Sequence, residues 1–66
     1  MKKQYTLKEL RARKDKTQAE VSAELGISQP TYNAWEKDVS KVPFGQVWKM
    51  AMYFDVTVDE IFLPTV

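Results

Sequence analysis

Two side-chain amides and a hydroxyl lie close together in one polar stretch of the sequence, at Gln29, Thr31 and Asn33. An amide carries both a hydrogen-bond donor and an acceptor, the pair that contacts an adenine edge in the major groove of B-DNA. Gln29 is the best candidate for such a bidentate contact, and Asn33 is a second. If one helix face carries these residues into such a groove, Ala34 on the same face would meet a thymine methyl group. Thr31 is equally well explained as a plain exposed hydroxyl.

The composition argues against catalysis and metal binding. The 66 residues include no histidine and no cysteine, so the chain lacks the commonest general base, the best nucleophile and any disulfide. A zinc ion would find only carboxylates, which suit it poorly. We therefore expect no enzymatic activity, no metal, no cofactor and no small-molecule substrate.

The length and the ends of the sequence narrow the class further. A mass of 7.7 kDa fits one small domain, residues 1–66. No apolar run approaches the ~18–20 residues of a membrane span. The N-terminal residues 1–6 lack the apolar core of a secretory signal. A cytoplasmic protein without a membrane partner is the expectation.

The charges are nearly balanced in sum and uneven along the chain. The net charge is +1, but residues 1–16 carry seven basic against two acidic side chains, and residues 17–66 carry three against seven. A cationic end can indicate a polyanionic partner. A solvated, lysine-rich helix explains the same pattern equally well.

Three Thr-x-x-Glu capping boxes mark helix starts, namely Thr6 with Glu9, Thr17 with Glu20 and Thr57 with Glu60. They predict a first helix over residues 7–14, a second that follows Thr17, and a short last helix that runs to Phe62 and ends before Pro64. Ser28 predicts the start of a third helix, with Pro30 in its first turn. Residues 39–43 are expected to form a loop, and Pro43 to open a fourth helix.

The second and third helices are joined by a very short turn that holds Gly26. Glycine permits the left-handed backbone of a sharp turn, and the small Ser22 lets two helices approach closely. Small or apolar residues stand where the crossing helices would touch, at Ala19, Val21, Ser22, Leu25, Ile27, Tyr32 and Trp35. This pattern is typical of a helix-turn-helix, whose second helix enters the major groove. The predicted fold is all-α, a compact five-helix bundle with this motif.

From Leu7 to Phe62 the sequence resembles the lambdoid phage repressor and Cro-type (XRE-like) helix-turn-helix domains, a five-helix class of DNA-binding transcription regulators. The matching residues are Arg11, Thr17-Gln18-x-Glu20-Val21, Gly26-Ile27-Ser28-Gln29, Trp35-Glu36 and the run from Val56 to Phe62. Two departures stand out. Pro30 replaces a residue that is often polar and groove-facing, which leaves it an apolar contact with a thymine methyl. Asp38 stands where the family often has glycine, and aspartate tolerates left-handed backbone.

The resemblance implies a role for several polar residues. The residue that matches Gln18 bonds a DNA phosphate and braces the one that matches Gln29. Ser28 is expected to cap the third helix and to add a phosphate contact. Lys37 and Lys41 are expected to neutralise phosphates, which fixes register without reading sequence.

The resemblance also implies that Arg11 and Glu36 form a salt bridge between the first and third helices, so we assign them a structural role. Three other cations near the start of the second helix are then freer to approach the DNA backbone, namely Arg13, Lys14 and Lys16. A solvated position is the better explanation for Arg13.

The aromatic residues divide between the core and a possible interface. Helical spacing predicts that Tyr32, Trp35 and Phe54 are core residues, and that Met50 and Met52 fill the core. A chain this short cannot easily bury all of Phe44, Trp48, Phe62 and Leu63, and an exposed cluster of these would be a dimer surface. We expect a homodimer through the C-terminal helix, because such proteins commonly span half-sites about 34 Å apart.

Three hypotheses about function remain at this point. The first is a sequence-specific DNA-binding transcriptional regulator, a repressor or Cro-like protein of phage, plasmid or bacterial origin that binds an operator. The second is a protein-interaction module on the same fold, such as an antirepressor or an antitoxin-like protein. The third, a small enzyme, finds almost no support in the residues.

Overall fold

Residues 4–61 are described by a computed structural model of the chain. They form four α-helices, α1 (Leu7–Arg13), α2 (Gln18–Leu25), α3 (Gln29–Lys37) and α4 (Phe44–Tyr53). Single 3-10 turns lie at Val39–Lys41 and Val58–Glu60. The all-α class is confirmed, and the count of five helices is wrong.

The capping boxes fix where α1 and α2 begin. The hydroxyls of Thr6 and Thr17 each accept a hydrogen bond of 3.1 Å from the backbone N–H three residues on. The glutamate at that third position accepts one of 2.8 Å from the threonine N–H in return. Two N–H groups that the helix itself leaves unpaired are thus satisfied at each start. The first helix ends one residue earlier than predicted, because Lys14 is its C-cap.

The turn between α2 and α3 is built as its sequence indicates. Gly26 ends α2 with a φ of +75°, in the left-handed region where glycine pays no steric penalty. Ser22 is buried at the crossing and donates its hydroxyl proton to the Ala19 carbonyl oxygen at 3.0 Å. The Ile27 N–H donates to the Ser22 carbonyl at 3.0 Å, so the turn is anchored on α2.

The core collects one apolar side from each helix. Its buried members are Leu7, Leu10, Val21, Tyr32, Trp35, Val42, Val47, Met50, Ala51, Phe54 and Ile61. The expectation that Tyr32, Trp35, Phe54 and Met50 are core residues is confirmed. The same expectation for Met52 is wrong, because its side chain is 81% exposed. Met52 is two residues from the buried Met50, which turns it to the opposite side of α4.

The predicted last helix is replaced by one 3-10 turn and an extended residue. The capping box at Thr57 and Glu60 is present, but the helical turn stops at Glu60. Ile61 is extended, with φ −82° and ψ 127°, and forms an isolated parallel bridge with Tyr5. The Tyr5 N–H donates to the Glu60 carbonyl at 2.7 Å, and this bond competes with further helix. Phe62, Leu63 and Pro64, which the predictions include, lie outside the described residues.

The link from α3 to α4 also differs from its prediction. Part of the expected loop, Val39–Lys41, is a 3-10 turn whose start is capped by Asp38. Asp38 is extended, with a φ of −147°, so it does not adopt the left-handed backbone that aspartate tolerates. Left-handed backbone occurs instead at Asp15 and Asp55, which follow α1 and α4.

Candidate nucleic-acid interface

The first turn of α3 presents a polar surface to solvent. Ser28 caps the helix, since its hydroxyl oxygen accepts from the Thr31 N–H at 3.3 Å. The Ser28 hydroxyl also donates to Thr31 Oγ1 at 2.8 Å. Gln29, Pro30 and Thr31 are exposed, and the proline stands where no backbone N–H is needed. Gln29 is thus held at the tip of a capped helix with its side chain in solvent.

One turn further along α3, Asn33 begins a chain of hydrogen-bonded amide and charged side chains, which we call the amide line. Its Nδ2 donates to Gln18 Oε1 at 3.0 Å. Gln18 Nε2 in turn donates to Glu36 Oε1 at 2.8 Å. A carboxylate only accepts hydrogen bonds, so Glu36 fixes which end of the Gln18 amide faces it. The Gln18 oxygen must then accept from Asn33, which leaves Asn33 Oδ1 as an acceptor for another donor.

Arg11 completes this line from α1. Its Nε donates to Glu36 Oε2 at 2.6 Å, so the two residues expected to pair do so in the structure. Arg11 Nη1 also donates to the Lys16 carbonyl oxygen at 3.0 Å, which ties the α1–α2 link to the same group. The Arg11 side chain is 18% exposed and that of Glu36 is 7% exposed. The pair therefore joins α1 to α3 and holds the start of α2 between them.

The ionisation of this pair follows from its contacts. Burial opposes the charge on Glu36, but the hydrogen bonds from Arg11 and Gln18 outweigh burial and lower the pKa of the carboxyl. The hydrogen bond to Glu36 raises the pKa of the Arg11 guanidinium despite its own burial. Both groups are charged at neutral pH, so Gln18 faces a carboxylate and its orientation is unambiguous.

Gln18 takes a different partner from the one that the resemblance implies. In the described part of the chain its amide contacts Asn33 and Glu36 rather than bracing Gln29. Gln18 and Gln29 do line one shallow cleft together at the start of α2. Gln29 is left free of that brace and exposed, whereas Asn33 and Ala34 are half-buried.

A second cleft, which we call the amide cleft, lies beside Gln18 and Asn33 and is lined by cations. Lys8, Arg11 and Lys37 surround Gln18, Asn33 and Glu36 there. Lys8 is exposed, and the sequence analysis did not single it out. Its position three residues before Arg11 on α1 places both on one helix face, a spacing that could have identified it. Lys37 and Lys41 are both exposed, at the end of α3 and in the 3-10 turn that follows.

The three cations expected to be freer are each engaged with a neighbour. The Arg13 guanidinium lies 4.8 Å from the centre of the Tyr5 ring, and Lys14 Nζ lies 4.8 Å from that of Tyr53. Lys16 forms a 2.9 Å ion pair with Glu24. Arg13 and Lys14 thus lie over aromatic rings, whereas Lys16 also lines the cleft that holds Gln18 and Gln29.

Tyr53 and Glu24, which contact Lys14 and Lys16 respectively, form a small network between α4 and α2. The Tyr53 hydroxyl donates to Glu24 Oε1 at 2.5 Å. Burial, together with this hydrogen bond to a carboxylate, raises the pKa of Tyr53 to about 12. The network joins α4 to α2, and Lys16 contributes to it through its ion pair with Glu24.

Two classes of site are not represented in residues 4–61. No helix in that range is both long and apolar enough to cross a membrane. Within the same range, no three metal-ligating side chains come together as a possible ion site.

Comparison with known families gives one result. A family model described as helix-turn-helix matches residues 7–61, which is most of the chain. No curated protein and no solved structure shows significant similarity to this sequence. The match spans α1 to the 3-10 turn before Ile61, so it includes the capped α3, the amide line and the Arg11–Glu36 pair. The chain belongs to the helix-turn-helix family of XRE type, a family of DNA-binding regulatory domains.

Proposed function

We propose that this chain is a sequence-specific transcriptional regulator that binds an operator as a homodimer, in the manner of a phage, plasmid or bacterial repressor or Cro-like protein. The observation that carries the proposal is the exposed, capped first turn of α3. It offers Gln29 to a base edge on a helix whose position is fixed by the Arg11–Glu36 pair. Such a helix fits the major groove, where a glutamine amide contacts adenine through both of its polar atoms.

Asn33 is a second residue that contacts a base, and the orientation of its side-chain amide is defined. Since Glu36 orients Gln18 and Gln18 occupies one Asn33 N–H, Asn33 Oδ1 is offered to a donor. Donors in the major groove are the N6 amino group of adenine and the N4 amino group of cytosine. Asn33 keeps this oxygen and its second N–H, so it can pair with adenine through both N6 and N7. Ala34 and Pro30 supply apolar contacts to thymine methyl groups.

The cations next to these residues hold the phosphate backbone. Lys37 and Lys41 follow the reading helix, and Lys8 faces it from α1 across the amide cleft. Such contacts fix the register of the protein on the duplex and make affinity fall with salt. Ser28 adds a hydroxyl near the same backbone, and the protein acts in the cytoplasm, where operator DNA is accessible.

The proposal is tested by selecting bound duplexes from a random pool and titrating the winner against random DNA. Specific operators typically bind ~10³–10⁷ times more tightly than non-specific DNA. We expect a two-fold symmetric consensus with a gap of at least the lower figure. For substitutions of the reading residues, Ala23→Glu is the matched control, because it changes an exposed α2 position outside those residues.

A protein-interaction module on the same fold is the second candidate. The net charge of +1 and the proline within the reading helix favour it. A folded protein that enriches no sequence and shows no salt-dependent DNA complex would exclude the operator proposal and favour this alternative.

A further inference from the structure

A row of large apolar side chains lies in solvent along α4. Phe44, Trp48 and Met52 are spaced by four residues and therefore share one face of the helix. Their exposed fractions are 75%, 56% and 81%. We call these three residues the α4 ridge. They are the large hydrophobic side chains that stand exposed within residues 4–61.

The α4 ridge has a groove on each side at Met52. One groove is apolar and runs from Trp48 and Met52 over Ala51 to Val56, Val58 and Ile61. The other lies between α4 and the end of α2, where Met52 meets Leu25, Glu24, Lys49 and Tyr53. A ridge flanked by grooves is the surface shape by which two helices interlock.

We propose that a second copy of this chain covers the α4 ridge, with the two α4 helices crossing at a two-fold axis and each ridge seated in the other copy's groove. The inference rests on the proposed function, since two reading helices on a symmetric operator require a two-fold pair. It places the interface on α4 instead of on a C-terminal helix.

The area and charge of this surface fit a second copy. Aromatic side chains bury roughly 150–250 Å² each, so at these exposures two ridges remove roughly 800 Å² from water. Stable interfaces begin near about 1,200 Å², and the groove walls must supply the remainder. Helix α4 carries one charged residue, Lys49, so two copies bring little like charge together. The resulting dimer is weak enough to dissociate on dilution.

Sedimentation equilibrium without DNA tests the interface directly. We expect the wild-type chain to pass from monomer to dimer as its concentration rises. Met52→Glu places a charge within the interface, where the ridge meets both grooves, and should raise the dimer Kd at least about tenfold. Ala23→Glu, which adds the same charge on α2, should leave it unchanged. Circular dichroism confirms that each variant is folded, which is expected because Met52 is exposed.

Two results would overturn the inference. The first is a wild-type chain that stays monomeric up to the millimolar range. The second is a dimer that Met52→Glu and Ala23→Glu affect equally, which would place the interface elsewhere. A partner of other chemistry on the α4 ridge corresponds to the first result.

Tryptophan fluorescence provides a second readout on the same samples. Trp48 is 56% exposed and Trp35 is 6% exposed, so dimerisation changes the environment of the first. We expect a blue shift and reduced iodide quenching as concentration rises, both absent in Trp48→Tyr. Emission that does not depend on concentration while dimer forms would contradict burial of Trp48.

DNA binding separates failure of this inference from failure of the proposed function. Met52→Glu should retain wild-type affinity for a duplex with one half-site and lose at least about tenfold on the symmetric site. Equal losses on both duplexes would contradict a role confined to dimerisation. A wild-type chain that dimerises yet selects no DNA would refute the operator proposal alone and leave the interface standing.

Discussion

Removal of Arg11 is expected to destabilise this protein more than any exposed substitution, and with an unusual dependence on pH. Arg11→Met keeps the apolar stem but deletes the contacts to both Glu36 oxygens and to the Lys16 carbonyl. The Glu36 side chain is 7% exposed, so water does not replace the lost guanidinium. Breaking a buried pair from one side costs about 3–5 kcal/mol. Because Arg11 itself is 18% exposed, we expect a loss near the lower figure.

A domain of this size has a total stability of only ~3–5 kcal/mol, so the variant would be largely unfolded without help. Urea unfolding in a fixed concentration of trimethylamine N-oxide, followed by circular dichroism, keeps it measurable. Lys8→Met on the same helix is the matched control and should change stability by less than about 0.5 kcal/mol. The double variant Arg11→Met/Glu36→Leu should recover most of the loss, since no charge is then left buried.

The pH dependence identifies the cause. In the wild-type protein the pKa of Glu36 lies below its ordinary value of 4.5, so the stability it contributes is present above that value and is lost on acidification. In Arg11→Met, burial acts without the guanidinium and raises the same pKa, so acidification relieves a penalty. The stability difference between the two proteins should therefore shrink from about pH 7 to about pH 4. A difference that is constant over this range, or a double variant no more stable than the single one, would refute the reasoning.

Four further outcomes are expected. Gln29→Ala should lose about 1–3 kcal/mol on the best operator and relax preference at one base pair, and an equal loss on random DNA would show that Gln29 reads no base. Lys41→Ala should weaken all sequences alike and flatten the salt slope by about one unit in a titration series, whereas a sequence-dependent effect would contradict a phosphate contact. Tyr32→Phe should lower stability by about 0.5–1.5 kcal/mol in urea unfolding at neutral pH, because the buried hydroxyl interacts with the Glu36 carboxylate and helps to keep its pKa low; unchanged stability would show that this interaction contributes nothing. Gly26→Ala should cost about 1 kcal/mol from its φ of +75° alone, since an added Cβ meets nothing within 4 Å, and Gly26→Asn should cost less.

The starts of the helices could be predicted from the sequence because capping is local. Thr6 and Thr17 form their predicted boxes, and Gly26 takes the left-handed backbone that its position requires. Thr57 also forms its box, yet only a 3-10 turn follows it as far as Ile61, where the described residues end. The reason is non-local, since Tyr5 pairs with the segment at Ile61, and a capping signal contains no information about a partner so distant in the chain.

In the candidate site, too, local features could be predicted from the sequence and contacts between distant residues could not. The residue types of Gln29 and Asn33 are readable from the sequence, and the pairing of Arg11 with Glu36 follows from the resemblance. The contact of Gln18 with Asn33 depends on how α2 crosses α3 in this chain, whereas the resemblance implies Gln29 as its partner. The exposure of Met52 was missed because Met50 and Met52 are equally apolar, and only the packed core distinguishes the two sides of α4.

The bridge between Tyr5 and Ile61 ties the order in which this protein folds to the order in which it is made. Its helices form from contacts between near neighbours in the chain, which are rapid. The bridge instead closes a loop across nearly the whole described chain, at a cost in chain entropy. Ile61 is also among the most deeply buried side chains, and among the described residues it is the core member furthest along the chain. Completion of the core during synthesis therefore waits until Ile61 can reach Tyr5, and a chain cut before Ile61 would carry formed helices around an unfinished core.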